Sequence, residues 1–376
     1  MGRFSMEFLI DKEEFARGLF RSQSVVEKKG TMPILLNVLI ETKENGISIT
    51  ATDLEIGIKG FYPANVKQPG SITLAAKKLY EVVKELPEKE VFFRLKENQW
   101  VEISSGKSIF KIMGISAETF PSFPAYEEEN FISLESALLR EMIDKTIFAV
   151  SSDESRYNLT GVFCTRREKE SEKILRMVAT DGYRLSLIDR TMKMEIEGVE
   201  NGILLPKKGL LELTRLLEEA GNEVWVKMKN NNFIFKKDPV VLIMRLLDAE
   251  FPDYHQVIPS KTKYFIRMKR SQILESLKRV SILSSEKTKG VKFHFAEDLL
   301  ELSSYNPDFG EAKEEFSVDY KGEELTLGFN YRFIMEVLNI LSSEEILFEL
   351  EDGVSPAIIR PANDGQHTCV VMPMRI

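Results

Sequence analysis

Three aspartates stand in similar contexts that could support catalysis. Asp53 and Asp181 each follow an Ala-Thr pair, and Asp253 follows Phe-Pro. Three carboxylates could hold a divalent cation for phosphoryl transfer, but Asp181-Gly182, between two apolar runs, is more economically a hairpin turn. The sequence has no phosphate-binding loop, nucleophile elbow or dinucleotide fingerprint. We therefore predict that the protein is not an enzyme, and a metal-dependent enzyme using these aspartates is the alternative.

The cysteines and histidines do not have the spacing of a metal site. Cys164 and Cys369 are far apart, so a disulfide framework or zinc site is not expected and a reducing cytosol is the natural compartment. The histidines, His255, His294 and His367, show no ligand spacing and are expected on the surface or in loops. No apolar run approaches the ~18 residues of a membrane span, and the N-terminus lacks a signal-peptide core. We predict a soluble, cytoplasmic protein without metal, cofactor or membrane partner.

The elements that would position these residues recur three times along the chain. A strand, an amphipathic helix and a second strand are predicted near 72–95, near 203–228 and near 325–350. The first repeat opens with a strand and a helix whose Asp11 and Glu14 stand at capping-box spacing. We predict an α+β protein of three repeated domains, 1–129, 130–259 and 260–376, each with two helices packed on antiparallel sheets. An ordinary three-domain chain with accidental similarities is the alternative.

The net charge does not describe how acidic and basic residues are distributed along the chain. A formal charge of −8 and a pI near 5.4 argue against binding nucleic acid over the whole surface. Acidic residues gather in probable loops, such as 127–129 and 311–315, whereas basic residues recur on the predicted helices. If the repeats bring these helices together, they would contact phosphates without reading bases, although any single charged helix face is more simply a solvated one. The helix candidates for DNA binding are Arg17, Arg21, Lys77, Lys207, Lys208, Arg215 and Lys278.

The last residues, 370–376, form an apolar segment that contains two methionines and has no helical period. One interpretation is a final core strand followed by a frayed tail. The other is part of a soft hydrophobic groove, because flexible methionine side chains adapt to varied partners.

In combination, these motifs resemble the bacterial sliding clamps, the beta subunits of DNA polymerase III. The resemblance runs from Met6 to the end and leaves Met1–Ser5 outside; it rests on the segments 31–35, 51–55, 179–185, 206–209, 251–254, 282–286, 328–330 and 370–375. It implies a head-to-tail homodimer whose six domains close a ring around double-stranded DNA without sequence specificity. It further implies a non-catalytic processivity factor, loaded by an ATP-driven clamp loader, that tethers replicative and repair polymerases.

The resemblance also implies a peptide-binding groove between the second and third domains. Its ligands would be linear peptides of the DNA polymerase III catalytic subunit, the clamp loader, other polymerases, ligase and mismatch-repair proteins. Gln256 stands where many members have a basic residue, Tyr183 where relatives vary and Ile376 where leucine is usual, which leaves peptide preference open. Carried over by motif, the groove residues are Leu159, Thr180, Gly182, Tyr183, Arg184, Leu185, Pro252, Val257, Val370, Val371, Met372, Pro373, Met374 and Arg375.

The same matching assigns the two other interfaces. Lys29 and Arg156 match DNA contacts, with the basic helix residues as weaker candidates. The dimer interface, with a charge pair and a small apolar patch, would include Lys78, Phe110, Ile282, Leu283 and Asp308. A repeat scaffold that binds proteins but never DNA is the remaining alternative.

Overall fold

The computed structural model describes residues 6–26 and 32–375, with the side chain of residue 169 left aside. The predicted DNA contact Lys29, the segment Met1–Ser5 and the terminal Ile376 lie outside this part of the chain. Within it, the order strand, helix, four strands, helix, three strands occurs three times, as the repeats predicted.

The three repeats supply 24 strands and six α-helices within the described residues. The first contains β1 (Glu7–Asp11), α1 (Lys12–Gln23), β2 (Asn37–Lys43), β3 (Gly46–Thr52), β4 (Ile56–Gln68), β5 (Ser71–Ala75), α2 (Ala76–Lys84), β6 (Glu90–Leu95), β7 (Trp100–Ser105) and β8 (Ser108–Met113). The second contains β9 (Ile132–Glu135), α3 (Ser136–Ile147), β10 (Gly161–Lys169), β11 (Glu172–Thr180), β12 (Arg184–Thr191), β13 (Ile203–Pro206), α4 (Lys207–Leu217), β14 (Glu223–Lys229), β15 (Asn232–Lys237) and β16 (Val240–Arg245). The third contains β17 (Tyr264–Lys269), α5 (Arg270–Val280), β18 (Gly290–Ala296), β19 (Leu299–Asn306), β20 (Gly310–Ser317), β21 (Leu325–Asn330), α6 (Tyr331–Ile340), β22 (Glu345–Leu350), β23 (Ala357–Pro361) and β24 (His367–Val371).

Strand pairing repeats as regularly as strand order. In every repeat the first strand pairs with the strand after the second helix, as β1 does with β6, β9 with β14 and β17 with β22. Two further antiparallel pairs join successive repeats: β4 with β16, and β12 with β24. These two seams produce a twelve-stranded and an eight-stranded sheet, while β20-β19-β18-β21 remains a separate four-stranded sheet.

The chain folds into two compact units. The described residues of 1–136 and 208–246 form the first unit, which contains the twelve-stranded sheet; those of 137–207 and 247–376 form the second, which contains the other two sheets. Each unit therefore combines one terminal repeat with part of the central one.

Helix α1 shows how local sequence and packing cooperate. Its predicted N-cap is confirmed, because Asp11 Oδ1 accepts hydrogen bonds from the backbone N–H groups of Glu13 (2.9 Å) and Glu14 (3.3 Å). The buried face of the helix lies so close to the sheet that a Cβ on Gly18 would be 2.7 Å from Ile49 Cδ1 and from the Tyr62 ring. The close contact therefore favours glycine at this position despite its low helix propensity.

The prediction that all three histidines lie on the surface or in loops is wrong for His367, which is fully buried in β24. Ser186 Oγ donates to the backbone carbonyl of Lys145 at 2.5 Å, and His367 Nε2 lies 3.1 Å from the same Oγ. Because that hydroxyl proton is already used, Nε2–H is the donor to Ser186, and the proton-free Nδ1 is buried without a hydrogen-bond partner. Period-two alternation does not distinguish a buried polar side chain from a solvated one, so the sequence pattern could not predict that His367 is buried.

Candidate functional site

The three aspartates that could have formed a catalytic centre instead shape loops. Asp181 Oδ1 accepts hydrogen bonds from the backbone N–H groups of Tyr183 (2.9 Å) and Arg184 (3.0 Å), and Gly182 between them has φ +87°. The predicted hairpin turn is confirmed, since β11 and β12 pair directly across it. Asp53 closes the equivalent loop of the first repeat by the same backbone contacts.

Asp253 also has a local structural role: its side chain caps a short 3₁₀ turn, Tyr254–Val257, by accepting from His255 N–H at 3.2 Å. Across residues 6–26 and 32–375, no three His, Cys, Asp or Glu side chains gather into a group that could hold a metal ion.

Arg184 organises the centre of the predicted groove from a buried position. Its side chain is only 8% exposed and donates through Nε to Asp181 Oδ2 (3.1 Å), through Nη1 to Glu336 Oε2 (2.5 Å) and through Nη2 to the carbonyl of Phe148 (2.8 Å). The guanidinium also lies 4.5 Å from the centre of the Phe333 ring. Because every nitrogen is engaged, Arg184 positions the loop after β11 against α3 and α6 and is not open to a ligand.

Tyr183 forms the exposed part of the same loop. Its side chain is 59% exposed and lies over Phe333, with ring centroids 6.4 Å apart and an interplanar angle of 22°. The Arg156 guanidinium is 5.8 Å from the Tyr183 ring, so one of the two motif-matched DNA contacts borders the groove. Together, Tyr183 and Phe333 form an aromatic pair at the predicted groove.

The first residues of the C-terminal segment form a core strand, as one of the two interpretations predicted. Val370 and Val371 are buried in β24, where they pair with Leu185 and Arg184 of β12. Beyond them, the Met372 N–H donates to the Tyr183 carbonyl at 2.9 Å, and the Met374 N–H donates to the Gly328 carbonyl at 2.8 Å. The core-strand interpretation is correct up to residue 371, and the following exposed methionine lies beside the loop that carries Tyr183.

Two further residues predicted for the groove, Pro252 and Val257, are both exposed. Tyr254, between them, is buried in one apolar cluster with Leu185 and Val370. The groove residues thus divide into two classes. The buried ones are Leu159, Thr180, Arg184, Leu185, Val370 and Val371. Those at least partly accessible are Gly182, Tyr183, Pro252, Val257, Met372, Pro373, Met374 and Arg375.

Sequence reasoning missed the side chains that support this surface, chiefly Phe148, Phe333, Glu336 and Tyr254. Phe148 directly follows α3, and Phe333 and Glu336 lie on α6. Amphipathic periodicity identifies the buried face of a helix but not the distant residues that this face or the helix end contacts. The Phe-Pro-Asp-Tyr motif marked Tyr254 only through the family resemblance.

The basic helix candidates are mostly compensated by nearby carboxylates. Arg21 Nε donates to Glu219 Oε1 at 2.6 Å, Lys208 pairs with Asp53, and Arg215 Nη1 lies 2.7 Å from Glu212 Oε1. Arg17 pairs with Glu14 at 3.0 Å but remains half exposed. Lys77 and Lys278 are exposed and Lys207 is half-buried, so these helices offer phosphates a modest rather than a strong positive surface.

The residues predicted for the dimer interface lie on or near sheet edges. Phe110 is on β8, the last strand at one end of the twelve-stranded sheet, and Asp308 lies two residues before β20, an edge strand of the four-stranded sheet. Ile282 is 77% exposed in a short 3₁₀ turn beside the half-buried Leu283. Lys78 is exposed and pairs with Glu81 at 2.5 Å.

Comparison with known proteins gives one consistent family. Residues 6–124, 133–253 and 255–375 match the N-terminal, central and C-terminal domains of the DNA polymerase III beta subunit. The beta sliding clamp of Pseudomonas aeruginosa is 32% identical over 372 residues, which cover 99% of this chain and all of that protein. The beta sliding clamp of Escherichia coli K12 is 31% identical over 373 residues, with the same coverage.

Solved structures agree with the sequence relatives. The crystal structure of the Caulobacter crescentus beta sliding clamp has a TM-score of 0.95 at 32% identity and covers 100% of both chains. That of the DNA polymerase III beta subunit from Thermotoga maritima has a TM-score of 0.90 at 33% identity, covering 99% of this chain and 100% of that one.

Among the helices of the described residues, none has the length and apolar character needed to cross a membrane.

Proposed function

Since the chain belongs to the DNA polymerase III beta subunit family, the beta sliding clamps, we propose that it is a non-catalytic processivity factor that encircles duplex DNA as a head-to-tail homodimer. Exposed residues of the groove around Tyr183 would hold polymerases, including the DNA polymerase III catalytic subunit, and the clamp loader. Repair polymerases, ligase and mismatch-repair proteins would use the same groove. The proposal includes the domain boundaries after residues 129 and 259 and a cytoplasmic location.

The observation that carries the proposal is the incomplete series of seams between repeats. The fourth strand of the first repeat, β4, pairs with the last strand of the second, β16; likewise β12, the fourth strand of the second repeat, pairs with β24, the last strand of the third. The next pair in this series would join β20 of the third repeat to β8 of a first repeat. Within the described residues, β8 pairs only with β7 and β20 only with β19. A second copy of the chain can supply both missing partners.

The chemistry of the two open edges supports this pairing. β8 exposes apolar side chains, with Ile109 63% exposed and Met113 53% exposed, and carries Lys111. β20 carries Glu311 and Glu315, of opposite charge. Open edges with apolar residues tend to associate, and a head-to-tail contact that closes by rotation gives a ring rather than a filament.

A ring also fits the modest positive charge of the helices. Because Arg21, Lys208 and Arg215 are already paired with carboxylates, affinity for phosphates is expected to be low and salt-sensitive. A closed ring does not need high affinity to remain on DNA, and weak contacts without base readout permit sliding.

Retention on circular DNA tests the proposal. The protein is loaded onto nicked circular DNA with a clamp loader and ATP, separated from free protein by gel filtration, and assayed before and after the DNA is cut once. We expect retention on the circle and rapid loss from the linear molecule, because the linkage is topological. Equal retention on both forms would indicate ordinary DNA binding, and no retention on either would favour the protein scaffold.

A further inference from the structure

Arg167 occupies one face of the sheet that supports the groove wall. On β10 it alternates with Thr165 and Phe163, and all three point to the same side because side chains alternate along a strand. Phe163 stacks on Phe251 at 5.1 Å between ring centroids with an interplanar angle of 9°. The segment that carries Pro252 and Val257 therefore lies over this side of β10.

A hydrogen-bond network fixes the Arg167 guanidinium at the end of that segment. Arg167 Nη2 donates to the Tyr254 hydroxyl at 3.0 Å and lies 2.9 Å from His255 Nε2. Because arginine can only donate, Nε2 accepts and the imidazole proton is on Nδ1, which faces Asp253 Oδ1 at 3.0 Å. Arg167 is thus oriented by two neutral acceptors.

Arg167 differs from the neighbouring arginines because no carboxylate forms an ion pair with it. Arg176, which also reaches the Tyr254 hydroxyl, donates to both carboxylate oxygens of Asp189 at 2.7 and 2.6 Å. Arg166, on the other face of β10, pairs with Glu195 at 2.5 Å and with Glu200 at 3.5 Å. The ion pairs of the described residues include none with Arg167, which is exposed. Its Nε and Nη1 groups form no hydrogen bond within the described part of the chain.

The position of Arg167 brings this charge within reach of a peptide in the groove. The Tyr254–Val257 turn connects it to Val257, and Tyr254 packs against Leu185 and Val370 of the groove floor. An extended peptide advances about 3.3 Å per residue, so a side chain a few positions from an apolar anchor can reach the guanidinium. Gln256, in the same turn, is uncharged and cannot form an ion pair with a peptide carboxylate.

We propose that Arg167 is a specificity-determining residue that binds a carboxylate of the client peptide, so that the groove selects segments combining an apolar anchor with a nearby Asp or Glu. This inference rests on the proposed peptide-binding function of the groove. A pre-oriented guanidinium with two unused donor groups suits a carboxylate, which accepts two parallel hydrogen bonds.

Two labelled peptides test the proposal against the full-length chain by fluorescence anisotropy at low ionic strength. Both contain the same leucine and phenylalanine anchor; one carries flanking Asp and Glu, and the other has Asn and Gln in their place. We expect wild-type protein to bind the acidic peptide about two- to fivefold more tightly, which corresponds to one exposed charge pair. Arg167→Gln should abolish this preference, and Arg167→Lys should keep most of it.

Arg166→Gln is the matched control, since it removes the same charge from the adjacent residue on the opposite face and should leave the preference unchanged. Circular dichroism confirms that each variant is folded. Failure of both peptides to bind the wild-type protein would contradict the proposed groove itself. Binding of both, with the acidic preference preserved in Arg167→Gln, would overturn the role of Arg167 and leave the groove intact.

Discussion

Burial of a single histidine makes the stability of the second unit depend on pH. Burial, reinforced by the positive charge of Lys145, lowers the pKa of His367 from 6.5 to about 4. The unfolded chain therefore binds a proton more readily than the folded one between these values. This difference has no effect above pH 6.5, but it destabilises the folded state increasingly as pH falls from 6.5 towards 4, by about 3 kcal/mol in full.

His367→Gln should flatten this dependence, because glutamine has no proton to gain. We expect the urea midpoint of the wild type to fall between pH 7 and pH 5 more steeply than that of the variant, which is less stable at pH 7 but loses less on acidification. Equilibrium unfolding followed by fluorescence at four pH values measures both slopes. His255→Gln controls for the loss of a histidine as such, and identical slopes for wild type and His367→Gln would contradict the role assigned to His367.

Among the helices, close packing and intrinsic propensity oppose each other at Gly18. Alanine is better than glycine in a helix interior by about 1 kcal/mol. At this position, however, the added methyl group would lie 2.7 Å from Ile49 and the Tyr62 ring, both buried. Overpacking a core usually costs about 1–3 kcal/mol, so the clash outweighs the gain in propensity.

Gly18→Ala should therefore destabilise the first unit by up to about 2 kcal/mol. Urea unfolding would show a lower midpoint with an unchanged slope. Arg17→Ala, at the neighbouring exposed position, is the control and should stay within about 0.5 kcal/mol of the wild type. A midpoint for Gly18→Ala above that of the wild type would mean that α1 can move away from the sheet at little cost.

Helices and turns could be predicted from the sequence where neighbouring residues determine them. Residues of the candidate site could be named only where they belong to a recognisable motif. Asp11 capped α1 as its spacing indicated, and Asp181-Gly182 formed the turn that its residue types favour. Arg184 could be named from its motif, but its burial and its bond to Glu336, 152 residues later, depend on tertiary packing. The uncompensated charge of Arg167 was equally hidden, because no strand pattern tells which arginine lacks a carboxylate neighbour.

For the whole molecule, the open edges of β8 and β20 lead to a prediction about mass. Ile282 and Leu283 are near the β20 edge in the fold and were assigned to the dimer interface by motif. The double variant Ile282→Ala, Leu283→Ala removes apolar area from that interface while leaving a single chain able to fold. In sedimentation velocity we expect the wild type near twice 43.1 kDa and the variant near 43.1 kDa at the same concentration.

Val354→Ala is the matched control, because Val354 is 82% exposed in the third repeat but was not assigned to the interface. This variant should retain the mass of the wild type. An unchanged dimer in the double variant would show that the interface has been placed on the wrong residues.

The seam between β12 and β24 also sets an order of events during translation. β12 ends at Thr191 and β24 begins at His367, so the ribosome must make the intervening chain before β12 gains its second neighbour. Until then, the nascent polypeptide presents a strand edge with unpaired backbone groups, which favours pairing with the wrong strand. The earlier seam has the same property, because β4 is synthesised long before β16. We therefore expect slower synthesis between the early and late strands of each seam to lower the yield of correctly folded protein.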